Sequence, residues 1–302
     1  MIFSTQQAEV ASHVRLGTSD TNLATLIKRW LNQAGKEIWA RADWNFSLDR
    51  QVVQTVADKT DGTVSVSSGG QTVTGSSTAF TSLDVGKFIQ FESTHDWYKI
   101  TAVASTTSLT IESPYTDTSA LSAGDYTIRK FFYSMGSTCE KILTARQSIS
   151  PSFLHVCHFR EMDIFRPDPT TTGSPIVMAV FGLDSSNNIQ FTPWPWPDAV
   201  ENLEIRFKKN YVDLSADSDV SLIPEKWHAT VMIDGAISRA YRYAAADEAG
   251  FKRAALARQQ FEQGMDRMLA EQDVDVSYHP VLETRDMLND TIGPRLPFKF
   301  GL

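Results

Sequence analysis

The 302-residue chain is short of several things that define common protein classes. It has only two cysteines. That excludes a disulfide scaffold and a four-cysteine zinc site. No apolar run approaches the roughly 20 residues of a membrane-spanning helix. The amino-terminal stretch Met1-Ile2-Phe3-Ser4-Thr5-Gln6-Gln7 has no basic segment followed by an apolar one, so no secretory signal is visible and synthesis in a cytosol is expected. Positive charge is in the minority: 28 Lys and Arg stand against 36 Asp and Glu, a net charge of −8. Gripping duplex phosphate needs clustered Lys and Arg, which makes this acidic chain a poor candidate for it. Catalytic signatures are missing too. There is no Gly-x-Ser-x-Gly elbow and no His-Glu-x-x-His pair. Gly86-Lys87 is followed by Phe88, and Thr81 stands five positions before Gly86, which excludes a phosphate-binding P-loop.

What is present is the composition of an ordered globular protein, 42% hydrophobic and 21% charged. The length suggests about two domains. From about Asp20 to Ala42, Leu23, Ile27, Trp30, Leu31, Ala34, Ile38 and Trp39 recur every three or four residues, predicting a helix with one apolar stripe. Between about Val52 and Arg129 the chain turns to Thr, Ser, Val and Gly with alternating apolar positions. Val64, Val66, Val73, Phe88, Ile89, Phe91, Tyr98, Ile100, Ala102, Leu109, Ile111, Tyr126 and Ile128 predict a small module of five to seven strands.

Strands of an antiparallel sheet are expected around Phe131–Tyr133, Ile142–Ala145, Pro175–Phe181, Ile189–Phe191 and Leu203–Phe207. One or two helical turns are expected at Phe159–Phe165, stopped by Pro167 and Pro169. After Ser221 the chain reads as helical again. Pro224 suits a first helical position, and Trp227, Val231, Ile233, Ile237, Ala240 and Tyr241 form an apolar face. Gly250 is expected to break this helix, and a second runs from about Phe251 to Gln272 with Leu256, Phe261, Met265, Met268 and Leu269 inside. The N-terminal helix and the last two helices are expected to pack together, with the β module inserted between them.

Three local features are chemically suggestive. His155-x-Cys157-His158 has metal-like residue types. On a strand His155 and Cys157 share a face and His158 points away, so the pattern favours a buried structural cysteine beside ordinary surface histidines. Trp194-Pro195-Trp196-Pro197 reads either as a stacking platform for a partner or glycan, or as a hydrophobic turn capping the sheet, and its position directly after a strand favours the turn. Arg239, Arg242 and Arg258 lie on a polar helical face interleaved with Asp and Glu, which suits a salt-bridged helical interface or a solvated face better than a DNA groove.

The C-terminus is anomalous. Ile292, Pro294, Leu296, Pro297, Phe298, Phe300 and Leu302 form an apolar, proline-broken stretch too short to make its own core. Such a tail is expected to dock, on its own chain or on a neighbour.

These segments together resemble tailed-bacteriophage head-to-tail adaptor (connector or neck) proteins. The resemblance rests on the Trp30-Leu31-Asn32-Gln33-Ala34-Gly35-Lys36-Glu37-Ile38-Trp39 helix followed by Asp43-Trp44-Asn45-Phe46. It also rests on Leu222-Ile223-Pro224-Glu225-Lys226-Trp227-His228 leading into Asp234-Gly235-Ala236 and Arg239-Ala240, and on Phe261-Glu262-Gln263-Gly264-Met265. The inserted stretch, with Val85-Gly86-Lys87-Phe88 and Ile100-Thr101-Ala102-Val103, is similar to β modules of phage tail and neck proteins.

The resemblance implies an α+β fold. A helical adaptor core would comprise residues 1–50 and 221–285, with an inserted all-β module at 51–130, a mixed antiparallel β region at 131–220 and an extended portal-docking tail at 286–302. It implies a structural virion protein of the neck, made in the host cytoplasm. Such proteins form a homo-oligomeric ring, commonly of twelve copies, that joins the portal protein to a tail or nozzle protein. Fibres are a further partner, and genome DNA passes through the lumen without sequence-specific binding. No cofactor, metal or membrane is involved and no catalysis is expected. Trp30, Trp39, Trp227, Arg239, Arg242 and Arg258 would then belong to ring-interface helices, and Trp194 and Trp196 to a partner platform. The acidic balance agrees with a channel that must not hold DNA. The alternatives are another tail component (tail tube, tail completion or fibre-binding collar) and, further off, a glycan hydrolase with an accessory β module.

Overall fold

The computed structural model describes residues 1–14, 21–94, 96–148, 153–165, 170–244 and 248–277. Two compact units divide the chain: residues 1–47 with 211–302, and residues 48–210.

The first unit is helical. It contains α1 (Phe3–Val14), α2 (Thr21–Arg41), α4 (Ile233–Ala244) and α5 (Glu248–Ser277), with α3 belonging to the other unit. Its core joins Phe3 and Val10 of α1, Ile27, Leu31 and Ile38 of α2, Ile233, Ala236 and Ile237 of α4, and Phe261 and Met265 of α5. Small residues set the spacing. A β-carbon on Gly235 would lie 2.7 Å from the Phe261 ring and 2.9 Å from Ala34 Cβ, so α4 approaches α2 and α5 only because that side chain is missing. Gly264 is closed in the same way, 2.9 Å from the Thr230 carbonyl oxygen.

The entry to α4 is irregular. A 3₁₀ turn at Glu225–Trp227 runs into a π turn at His228–Met232, and the α-helix starts only at Ile233. Pro224 precedes the 3₁₀ turn. The second helix begins at Glu248, so Gly250 lies inside its first turn and does not break it. Leu256 is not inside either; it is 58% exposed, and Ala254 and Ala257 take the buried positions against the neighbouring helices. Helix α1 has no counterpart in the sequence reading.

The second unit holds two seven-stranded sheets. In chain order its strands are β1 (Leu48–Gln54), β2 (Thr63–Val66), β3 (Thr72–Ser76), β4 (Phe88–Phe91), β5 (Trp97–Ser105), β6 (Ser108–Ile111), β7 (Leu121–Gly124), β8 (Tyr126–Arg129), β9 (Tyr133–Ser134), β10 (Cys139–Gln147), β11 (Phe153–His158), β12 (Val177–Leu183), β13 (Ile189–Trp194) and β14 (Asn202–Lys209). One sheet runs β7-β2-β3-β6-β5-β4-β8. Its core is the predicted alternating set without Phe88, which is half-buried, and Ala102, which is exposed, and it is joined by Phe80 and Tyr115. The other runs β1-β14-β10-β11-β12-β13-β9.

Strand β1 pairs with β14 over seven residues, Leu48↔Lys208 to Gln54↔Asn202. Val52 therefore belongs to the second sheet and not to the small module. That sheet is not wholly antiparallel: β11 and β12 run parallel, His155↔Val177 to His158↔Val180. A parallel pair needs a crossover, and α3 (Phe159–Phe165) supplies part of it. Pro167 and Pro169 lie outside the described residues. Leu214, in the stretch grouped by sequence with the mixed β region, is buried in the helical core.

Candidate functional site

The predicted interface residues of the helical unit do not all reach a free surface. Trp30 and Trp39 are 6% and 2% exposed and sit in the chain's own core. Trp39 packs edge-on against Phe46 and Tyr211, 5.9 and 5.7 Å between centroids. Indoles this large make burial within the chain the dominant use of both side chains. Trp227 is half-buried, with Lys226 Nζ 5.4 Å from its ring centroid. It lines a shallow depression of about 210 Å³ with Phe46, Pro224, Met268 and Gln272.

The arginines are brought together, and by a residue that the sequence reading did not assign a role. Glu37 of α2 accepts hydrogen bonds from Arg239 of α4 and from Arg258 of α5, the Arg258 Nη1–Oε2 distance being 3.0 Å. Arg258 also pairs with Glu262 one turn along α5. Both guanidinium groups lie over the Phe261 ring, 5.9 Å for Arg239 and 5.0 Å for Arg258. The Arg258 hydrogen bond, outweighing the cost of burial, holds the Glu37 carboxyl below the usual carboxylate range, and Glu37 in turn raises Arg258. One carboxylate thus ties three helices together.

Arg242, one turn beyond Arg239, is exposed and makes no ion pair among the described residues. With Ser238, Arg239, Phe251 and Arg258 it lines a cavity of about 430 Å³ between α4 and α5. Phe251 there is 57% exposed, and Tyr243, beside Trp30 at 5.5 Å, is 65% exposed. This face offers a cation and large apolar side chains side by side, the mix that protein interfaces favour.

In the other unit, Trp194 and Trp196 are half-buried against Cys157, Met162, Val177 and Ala179, and the Trp196 ring meets Phe131 at 4.6 Å. The Trp194-Pro195 bond is cis. Both indoles have much of their area committed to this packing. The tail residues Ile292, Pro294, Leu296, Pro297, Phe298, Phe300 and Leu302 lie outside the described residues.

A family model described as SU10 adaptor protein matches residues 3–284. The chain belongs to the SU10 adaptor protein family. It is therefore a phage structural adaptor protein and a virion component. The range matched by the adaptor family takes in both compact units, and it ends before Ile292. A comparison of this adaptor with curated proteins finds no match.

Proposed function

We propose that the adaptor works at the head-to-tail junction, as a ring of copies that joins the portal to the tail and lets the genome pass. The observation that carries this reading is the family match across residues 3–284. The helical unit supports it. Closing a ring needs two unlike faces on each subunit that meet by rotation. The α4–α5 face, with Arg242 and Phe251 exposed on a scaffold held by Glu37, has the composition for one of them. The net charge of −8 fits a lumen that lets DNA slide. In this reading the apolar tail from Ile292 to Leu302 anchors the ring on the portal. The neck is its place in the virion.

The test is molar mass by light scattering, on the chain alone and then mixed with portal rings. A stoichiometric ring-on-ring complex is the expected result. A chain that stays monomeric and ignores portal overturns the reading.

A further inference from the structure

The sequence pattern around Cys157 leaves one ligand type out, and the fold supplies it. His155 and Cys157 sit two residues apart on β11 and so share a face of the sheet. The chain passes from β11 directly into α3, with no residue between His158 and Phe159. That reversal brings Glu161, in the first turn of α3, back over the strand, with its Oε1 3.3 Å from His155 Nε2. One ligand atom each from His155, Cys157 and Glu161 lies within 4.8 Å of the other two. On the sheet side, β12 sets Val177 beside His155 and Ala179 beside Cys157.

We propose that His155, Cys157 and Glu161 form a binding site for a borderline-soft divalent transition ion of the zinc type. The donor set selects the ion: a thiolate and an imidazole disfavour magnesium and calcium, and with a carboxylate they match zinc. Ligand atoms around a tetrahedral zinc stand about 3.3–3.8 Å apart, given bonds of about 2.0–2.3 Å. Closing from 4.8 Å to that spacing asks only for rotation of His155 and Glu161, whose side chains are 66% and 46% exposed.

Cys157 is the fixed point. It is 9% exposed and wedged among Met162, Val177 and Ala179. On binding, the thiol proton leaves to solvent and sulfur, imidazole nitrogen and carboxylate oxygen each donate to the ion. Three protein ligands leave a fourth position, which opens on the solvent side where His155 and Glu161 lie. The ion would add a bond between α3 and β11 to the Met162–Cys157 packing and the His155–Glu161 contact that already join them. An exposed His–Glu pair alone is worth little in stability and gives no reason for a thiol between them.

The experiment is cobalt(II) titration of the full chain under reducing conditions, with zinc competition. Expected is one equivalent of cobalt per chain, a thiolate-to-cobalt charge-transfer band in the near ultraviolet, and its loss on adding zinc. Cys157→Ser, His155→Ala and Glu161→Gln should each weaken zinc binding by more than about 100-fold, the upper end of what loss of an outer-shell partner costs. Cys139→Ser and His158→Ala should leave the band intact, because Cys139 is buried in a separate core of the unit and His158 is on the opposite face of β11. No band with folded wild-type chain, judged by circular dichroism, overturns the proposal. So does a band that survives Cys157→Ser. If Cys157→Ser does not fold, His155→Ala decides on the same readout, since its exposed side chain carries no core packing.

Discussion

The Tyr211 hydroxyl fills the space that any side chain on Gly35 would occupy: a β-carbon there would lie 2.5 Å from Tyr211 Cζ. Tyr211 also packs on Trp39, and its hydroxyl is buried with no hydrogen-bond partner among the described residues. Burial, with Asp213 nearby, pushes the phenol far above its ordinary range, so it stays a neutral O–H. A buried hydroxyl without a partner is a cost. Tyr211→Phe should therefore leave stability unchanged or raise it by about 1 kcal/mol in denaturant unfolding. Gly35→Ala should lose about 1–3 kcal/mol by overpacking, and adding Tyr211→Phe should recover part of that. A marked loss in Tyr211→Phe alone would show that the hydroxyl is bonded after all.

Glu37 is a second point of leverage. Glu37→Ala leaves Arg239 and Arg258 facing each other over Phe261 without their shared carboxylate. The expected loss is about 1–3 kcal/mol, tempered because the cluster is partly open to solvent. Its pH signature follows from the lowered carboxyl. The stabilisation is complete above the unfolded-state value near 4.5 and disappears as pH falls through the lower folded-state value. Urea midpoints between pH 7 and pH 3 should fall more steeply for wild type than for Glu37→Ala. Parallel curves would remove Glu37 from the account.

A different pH window belongs to His228. Its ring is buried, bonded at Nδ1 to Gln6 Nε2 at 3.1 Å and at Nε2 to the Ile223 carbonyl at 2.7 Å. An amide donor at one nitrogen and a carbonyl at the other require the neutral ring with its proton on Nε2. Burial lowers its affinity for a second proton. The unfolded chain protonates first, so stability from this site is full above about pH 6.5 and falls as pH drops below it. His228→Gln should flatten the slope between pH 7 and pH 5 in thermal melts while lowering stability throughout. An unchanged slope would assign it to other groups.

Removing Ile292–Leu302 tests the tail separately from the fold. The deleted residues lie beyond the family match. The truncated chain should keep its helical circular dichroism and melting temperature and lose co-sedimentation with portal rings. Retained portal binding would transfer the anchor to the α4–α5 face. Loss of helical signal would mean that the tail completes the chain's own fold.

Periodicity explains what the sequence could reveal. Helix α2 and the small sheet obey simple periods of 3.6 and 2, and those periods pick out most of their buried residues; in the sheet they add Phe88 and Ala102, which are not buried, and miss Phe80 and Tyr115, which lie between strands. Helix α1 escaped because one of its core positions is Gln6, a polar residue whose partner is His228, 222 positions on. The π turn escaped because Trp227 and Val231, four apart, look the same in an α-helix. The parallel β11–β12 pair escaped because strand direction leaves no mark on residue type.

At the site, Arg239 and Arg258 read correctly as a charged helical face. Their anchor, Glu37, stands 202 and 221 residues away, and no local pattern links them. Glu161 was hidden for a related reason. Whether a carboxylate six residues from a histidine meets it depends on how sharply the chain reverses, which residue spacing does not encode.

The division of the chain into units also sets an order of events in synthesis. Residues 48–210 are continuous and can fold as soon as they leave the ribosome. The helical unit cannot, because α1 and α2 emerge first and the residues that complete their core, from Leu214 to Met268, emerge last. Until then the apolar stripe of α2, with Ile27, Leu31 and Ile38, has no native partner beyond α1. Contacts of such long sequence separation form slowly. The vulnerable interval in this chain's life is therefore its own translation, when the first helices wait for the last, and slowing the ribosome within residues 48–210 should increase aggregation more than slowing it after Met268.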